Sequence, residues 1–255
     1  MSDRTKPSVK TYVEPEIAVD FAAFAAVVES RRSVRKYLSE PIPEAVVQRC
    51  LDLALLAPTS SNMQSWQFIR VTDPQRKAQL AEACLSQPAA TTAAELIVAV
   101  ARTDTWRKHS RQILQQFEDS VYEWPTLMKR YYQLGTHLAY GLGPLGLNGT
   151  GKRVVQSLTS PLRSSPSSPY SRADLKLWAV KTTALACENL MLAFRAAGYD
   201  TCPMEGYDER RVRRLVGLRS RHEHLVMVIS AGKRAPKGVY GPRLRLPREQ
   251  FIREI

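Results

Sequence analysis

Arg31-Arg32-Ser33-Val34-Arg35 sets three guanidiniums and a hydroxyl in five consecutive residues. A guanidinium is a planar fork of donors that grips an oxyanion bidentately, so the cluster suits a phosphate group. Taken alone, such a run is more often the solvated end of a helix. Further on, Pro58-Thr59-Ser60-Ser61-Asn62-Met63-Gln64 packs short hydrogen-bonding side chains between two apolar runs. Donors and acceptors at that density can read the edge of a planar heterocycle, and can equally form an ordinary turn.

Other patterns carry less. Gly146 to Lys152 has the GxxxxGK spacing of a phosphate-binding loop. Arg153 stands where that loop needs Ser or Thr for magnesium, and the preceding AYGLGPL is no strand. His222-Glu223-His224 lacks both HExxH spacing and a third ligand, so strand-edge histidines are expected there. No GxGxxG follows a strand and no GxSxG elbow occurs. Cys50, Cys84, Cys187 and Cys202 are far apart, which argues against zinc, iron–sulfur and disulfide frameworks; no metal is expected.

The elements that must position these residues follow from periodicity. Asp20 caps a predicted helix through Phe21–Arg31, with Phe21, Phe24, Val27 and Val28 on one stripe. A second helix is predicted over Glu44–Ala57, stopped by Pro58. Trp66–Val71 reads as a strand, Asp73-Pro74 opens a helix to about Leu85, and Glu95–Ala101 reads as a buried strand. Helices are predicted from Asp104 toward Phe117 and over roughly Thr126–Leu138. Tyr131 to Gly151 carries no charged residue, but its six glycines and Pro144 argue for a glycine-rich loop rather than a membrane span. Ser157–Ser171 holds three prolines and is predicted as a loop. Ser171 and Asp174 form a capping box for the strongest helix, Ala173–Ala197, which is apolar nearly all round, with Gly198 at its C-terminal end. A short basic helix capped by Asp208, a strand over His224–Ser230 and an extended Pro- and Arg-rich tail complete the chain.

These 255 residues include 44% hydrophobic and 24% charged residues, a balance that excludes a disordered chain. Such a length buries enough surface to fold without disulfides or metal. The polar opening MSDRTKPSVKTYVEPE lacks the apolar core of a signal peptide, so a cytoplasmic protein is expected. A net charge of +13, concentrated in the arginines of 208–248, suits either a solvated basic face or an anionic partner. Helices outnumber strands, which points to an α+β or three-layer domain around a small mixed sheet.

Four stretches in order, ESRRSVRKYLSEPIP, LALLAPTSSNMQSWQF, AAGYDTCPMEGYD and GPRLRLP, resemble the signatures of the nitroreductase family, FMN-dependent NAD(P)H oxidoreductases. The likeness covers most of the chain except residues 1–19 and about 104–172. It implies an α+β fold: a helix-rich, three-layer α/β/α domain with a mixed, mainly antiparallel sheet. An N-terminal arm (1–19) would precede a single domain (20–255) carrying a long variable segment at about 104–172. A homodimer with FMN at the subunit interface is implied too.

By position, the resemblance puts the FMN phosphate on Arg31 and Ser33, with Arg32 alongside and Arg243 and Arg245 joining from the tail. It puts Arg35 near the pyrimidine edge, where a cation tunes the cofactor. Pro58, Thr59, Ser60 and Asn62 would come from the partner subunit. Pro203, Met204, Glu205 and Gly206 would line the N5 side, and Gln87 would meet the pyrimidine edge. No side chain need be catalytic, because the cofactor carries the chemistry. The implied reaction is ping-pong hydride transfer from NAD(P)H through FMN N5 to a small electron-poor aromatic acceptor, a nitroaromatic or quinone.

Alternatives within the resemblance are reductive dehalogenation or flavin modification. A non-enzymatic nucleic-acid binder is the reading that the arginine-rich end alone would favour; no nucleic-acid or membrane partner is expected. Ser65 departs from the Pro frequent in the family. Tyr122, Trp124, Tyr131 and Tyr132 either stack on a substrate or form core.

Overall fold

A computed structural model describes residues 11–143, 146–160, 163–164 and 169–255. Four strands form one sheet: β1 (Trp66–Arg70), β2 (Glu95–Arg102), β3 (Asp200–Met204) and β4 (Glu223–Gly232), in spatial order β1-β2-β4-β3. All three pairings are antiparallel. A parallel bridge between Ser33 and Thr201 adds the mixed character at the β3 edge.

β2 is buried along nearly its whole length because helices cover both faces of the sheet. Its alternate residues serve two cores. Leu96, Val98 and Val100 join Cys202, Met204 and Val228 against α3 (Pro74–Ala83), α4 (Pro88–Thr91) and α10 (Glu209–Leu215). Ile97 and Ala99 join Ile229 and Ala231 against α2 (Glu44–Ala54) and α9 (Arg172–Ala196). This is the three-layer arrangement. Truncating a side chain as enclosed as Ile97 costs about 2–5 kcal/mol.

The 25-residue α9 begins with the expected capping box: Ser171 Oγ accepts from the Asp174 N–H, and the Asp174 carboxylate accepts from the Ser171 N–H. Gly198 follows it at φ +83°, the left-handed conformation that ends helices.

A third core lies under the long variable segment. It joins Met63, Trp106, Ile113, Phe117, Tyr132, Tyr140 and Leu175, from α5 (Trp106–Asp119), α7 (Thr136–Tyr140) and α9. Here the expectation of a glycine-rich loop over 131–151 is corrected. α6 (Thr126–Arg130) continues through a π-helical turn at Tyr131–Gly135 into α7, and α8 (Leu147–Thr159) carries Gly149 and Gly151. Gly149 is required by proximity, since a Cβ there would lie 1.9 Å from the Tyr170 carbonyl oxygen. α8 also takes the first residues of the predicted 157–171 loop, whose Pro161 and Pro166 lie outside the described residues.

Three other differences have physical reasons. β3 went unread because it is five residues long and contains Pro203; it is an edge strand, where a missing N–H is tolerated. α2 ends at Ala54, and turns carry the chain on to Pro58. Finally, α1 (Phe21–Ser30) buries none of its residues, and Phe21 and Phe24 are 79% and 57% exposed. Its apolar stripe therefore joins no core among the described residues. Among the described residues no helix is long and apolar enough to cross a membrane.

Candidate functional site

The arginine run begins where α1 ends, at its C-cap Arg31. The chain is fixed there by the outer edge of β3: the Val34 N–H donates to Thr201 O at 3.0 Å. The tail returns over the same spot. Arg243 donates to the carbonyls of Glu29, at 2.7 Å, and Arg31. Arg32 donates to Gly241 O at 2.7 Å, and the Arg35 guanidinium lies over the Tyr240 ring, 5.5 Å from its centroid. Residues more than 200 apart in sequence thus form one cationic cluster. Burial raises the Cys202 thiol pKa, and Arg35 and Arg31 work against that rise, which places both charges within electrostatic reach of β3.

Among the described residues this positive charge is compensated only in part. Arg31 has one carboxylate partner, Glu188 at 3.6 Å. Arg32, Arg35, Arg243 and Arg245 have none among the described residues. Thr201, opposite Ser33, is 1% exposed, and its hydroxyl has no hydrogen-bond partner among the described residues. A buried hydroxyl without a partner costs about 1–3 kcal/mol. Two neighbouring cations share one carboxylate: Arg195 and Arg234 both pair with buried Asp200.

β3 runs from Thr201 into Pro203 and Met204, and on to Glu205 and Gly206. Gln87 joins them: its Nε2 donates to Gly206 O at 2.9 Å and to Cys84 O at 3.0 Å. Arg245 is not drawn in by any hydrogen bond; it donates to the carbonyl of its neighbour Leu244.

Pro58, Thr59, Ser60 and Asn62 stand apart from this cluster. Their loop tightens into a short 3-10 turn, Ser60–Asn62. Ser61, Asn62 and Gln64 have φ of 55°, 51° and 45°, and Leu85 and Ser86, just before Gln87, have 60° and 51°. These five are the non-glycine residues with positive φ among those described. Left-handed backbone costs an L-residue about 1–2 kcal/mol and gathers at functional sites.

The loop is held by residues that the sequence did not single out for this. Tyr131 Oη lies 2.5 Å from Ser61 Oγ, Tyr132 Oη donates to Ser61 O at 3.1 Å, and Tyr140 Oη lies 2.7 Å from Ser61 Oγ. His109 Nδ1 donates to Met63 O at 2.6 Å, while the Met63 side chain is fully buried in the third core. Burial raises the pKa values of Tyr132 and Tyr140, so both phenols stay protonated at neutral pH. The π-helical turn brings Tyr131 and Tyr132 to the same serine, a pairing that straight helical spacing does not predict.

Beside this loop lies an open cavity of about 660 Å³, lined by Ser60, Ser61, Tyr131, Leu138, Tyr140 and Trp178 among others. Of the four aromatics considered for stacking, Tyr131 lines it. Tyr132 is core, Trp124 stacks on Phe117, and Tyr122 meets Tyr12. The decoy motifs resolve structurally. Gly146–Lys152 forms the start of α8, and no His/Cys/Asp/Glu group able to hold a metal occurs among the described residues.

Comparison with known proteins gives the family and the fold. The model of the Nitroreductase family matches residues 28–139 and 162–233. A protein of Thermus thermophilus named NADH dehydrogenase is 28% identical over 222 residues, 87% of this chain and 91% of its own. The 4-nitrobenzoate reductase of Pseudomonas putida is 26% identical over 188 residues, 72% of this chain and 73% of its own. Among solved structures, a nitroreductase-like protein of Exiguobacterium sibiricum in complex with FMN shares the fold, with a TM-score of 0.63 and 24% identity, covering 97% of this chain and 100% of that one. Since the family match covers well over half of the chain, including Arg31–Arg35 and the serine loop, this chain belongs to the nitroreductase family of oxidoreductases.

Proposed function

We propose that this protein is an FMN-dependent NAD(P)H oxidoreductase that works as a homodimer and reduces a small electron-poor aromatic acceptor, a nitroaromatic or quinone, in a ping-pong cycle. The observation that carries the reading is the cluster of Arg31, Arg32, Arg35 and Arg243, with Glu188 its one carboxylate partner among the described residues, closed over the Ser33–Thr201 edge. A phosphate of about −1.5 to −2 charge matches that donor set, and the orphaned Thr201 hydroxyl supplies one more polar contact. FMN, when bound, supplies the two-electron step between NAD(P)H and the acceptor.

The chain's own residues bind and orient. Arg31, Ser33 and Arg243 hold the phosphate, and Arg35 stabilises negative charge at the pyrimidine edge. Pro203 to Gly206 and Gln87 form one wall of the ring site. Among the described residues no hydrogen bond or ion pair joins the 58–62 loop to the arginine cluster; the loop bonds instead to Tyr131, Tyr132 and Tyr140. We therefore assign that loop to the partner's flavin. The bare stripe of α1, with Leu55, Leu56, Leu177 and Leu185 also exposed, supplies apolar surface for the second subunit to cover.

The test is the visible spectrum of protein purified without added flavin, with the cofactor identified after denaturation. One FMN per chain is the expected result; a colourless protein that takes up no added FMN removes the reading. On the flavin-loaded dimer, acceptor-dependent NAD(P)H oxidation with nitroaromatics and quinones then separates this reading from dehalogenation, which would release halide instead.

A further inference from the structure

Another cavity of about 660 Å³ lies toward the N-terminal end of α9, away from the arginine cluster. Its wall includes Arg107 of α5, Arg172 and Lys176 of α9, and Arg221, His222 and His224 around the start of β4. Lys176 precedes Glu188, the partner of Arg31, by about 18 Å of helix at 1.5 Å per residue.

Its four cations are exposed and differ from several better-matched cations elsewhere in this protein. Arg70 is matched by Glu44 and Glu95, Arg102 by Asp104, and Arg195 and Arg234 by Asp200. Arg107, Arg172, Lys176 and Arg221 have no carboxylate within ion-pairing distance among the described residues. The one acid of the wall, Asp104, is taken by two nitrogens of Arg102 at 3.0 and 2.9 Å. The Arg107 guanidinium packs over the Trp106 ring, 4.4 Å from the centroid. His224 reports the local field: burial first, then the positive charges of Lys176, Arg213 and His222, hold it below the usual histidine range. A concavity lined by one sign of charge focuses its potential and draws in a counter-ion.

We propose that this cavity binds a phosphate-bearing ligand, inorganic or nucleotide, between Arg107, Arg172, Lys176 and Arg221. Phosphate fits better than a single carboxylate because four unpaired cations line one wall and a phosphate brings up to two charges with oxygens to share among them. The site is separate from the arginine cluster assigned to flavin, and its existence does not depend on that assignment.

The test is isothermal titration calorimetry on the intact protein, supplied with saturating FMN so that the Arg31 cluster does not compete. Inorganic pyrophosphate and adenosine 2′,5′-bisphosphate are the two probes. The expected result is one saturable site per chain for at least one probe, weaker at raised salt. Affinity should fall at least tenfold in Lys176→Gln and further in the Arg172→Gln/Lys176→Gln double variant, with flavin content unchanged. Both residues are exposed, so neither change endangers the fold.

Binding of pyrophosphate alone identifies a free inorganic ligand, whereas binding of the bisphosphate and competition by NADPH identify a nucleotide. Failure of both probes to bind at millimolar concentration overturns the proposal. So does binding that survives the double variant or is lost instead in Arg31→Ala.

Discussion

The Tyr140 hydroxyl lies 2.7 Å from Ser61 Oγ and 3.2 Å from Ser60 Oγ. The first of these serines has left-handed backbone, and the tyrosine ring is buried in the core of the variable segment. The segment between β2 and α9 therefore holds the serine loop in place. Tyr140→Phe keeps the packing and deletes the bonds, so a stability loss of about 1 kcal/mol is expected. A looser loop should also lower acceptor-dependent NAD(P)H oxidation by about 3- to 10-fold. Chemical denaturation and steady-state kinetics check both, and unchanged values would show that the hydroxyl does not position the loop.

Arg31→Ala and Arg243→Ala should each weaken FMN binding by at least about tenfold, or about 1.4 kcal/mol. Both remove donors from the same cluster, and Arg243 also ties the tail to Glu29 and Arg31. Fluorescence titration of flavin-free protein measures this. Stoichiometric FMN retained by the Arg31 variant in dilute solution would count against the phosphate site.

Thr201→Val distinguishes a ligand-directed hydroxyl from a packing defect. Its hydroxyl is buried and unpartnered among the described residues, so the flavin-free variant should be as stable as the parent, or more stable by about 1 kcal/mol. The gain in Tm on adding FMN should shrink. If FMN stabilises parent and variant equally, the hydroxyl does not serve the cofactor.

Asp174 predicts a pH effect. Accepted hydrogen bonds from the Tyr170 N–H, then from the Ser171 side chain and N–H, hold its pKa below the usual aspartate range. A depressed folded pKa adds stability above the unfolded value of about 4, and that stability is lost as pH falls below it. Thermal melts between about pH 6 and 3 should show Asp174→Asn losing less than the parent across that interval. Parallel curves would remove the capping carboxylate as an acid-sensitive contact.

The sequence by itself determined what local physics controls. The Asp20, Asp73, Ser171 and Asp208 caps, the buried run of β2 and the capping-box helix are all set within a few residues, and each formed close to where it was read. The ordered motifs determined the family, because Arg31-Arg32-Ser33 and Pro58–Asn62 keep their types and order whatever the chain does between them.

Tertiary structure decided the rest, for identifiable reasons. Pro203 hides a strand from propensity, and only its place at the sheet edge makes it tolerable. Six glycines read as a loop, yet Gly149 sits in a helix, where its missing side chain lets the Tyr170 backbone pass close by. Tyr131, Tyr132 and Tyr140 reach one serine about 70 to 80 residues away only because a π-helical turn and the third core bring them there. Arg107, Arg172, Lys176 and Arg221 lie scattered over more than 100 residues and become one charged wall only when α5, α9 and β4 pack together. Spacing along the chain records short-range geometry, whereas the meeting of distant side chains is set by how whole elements pack.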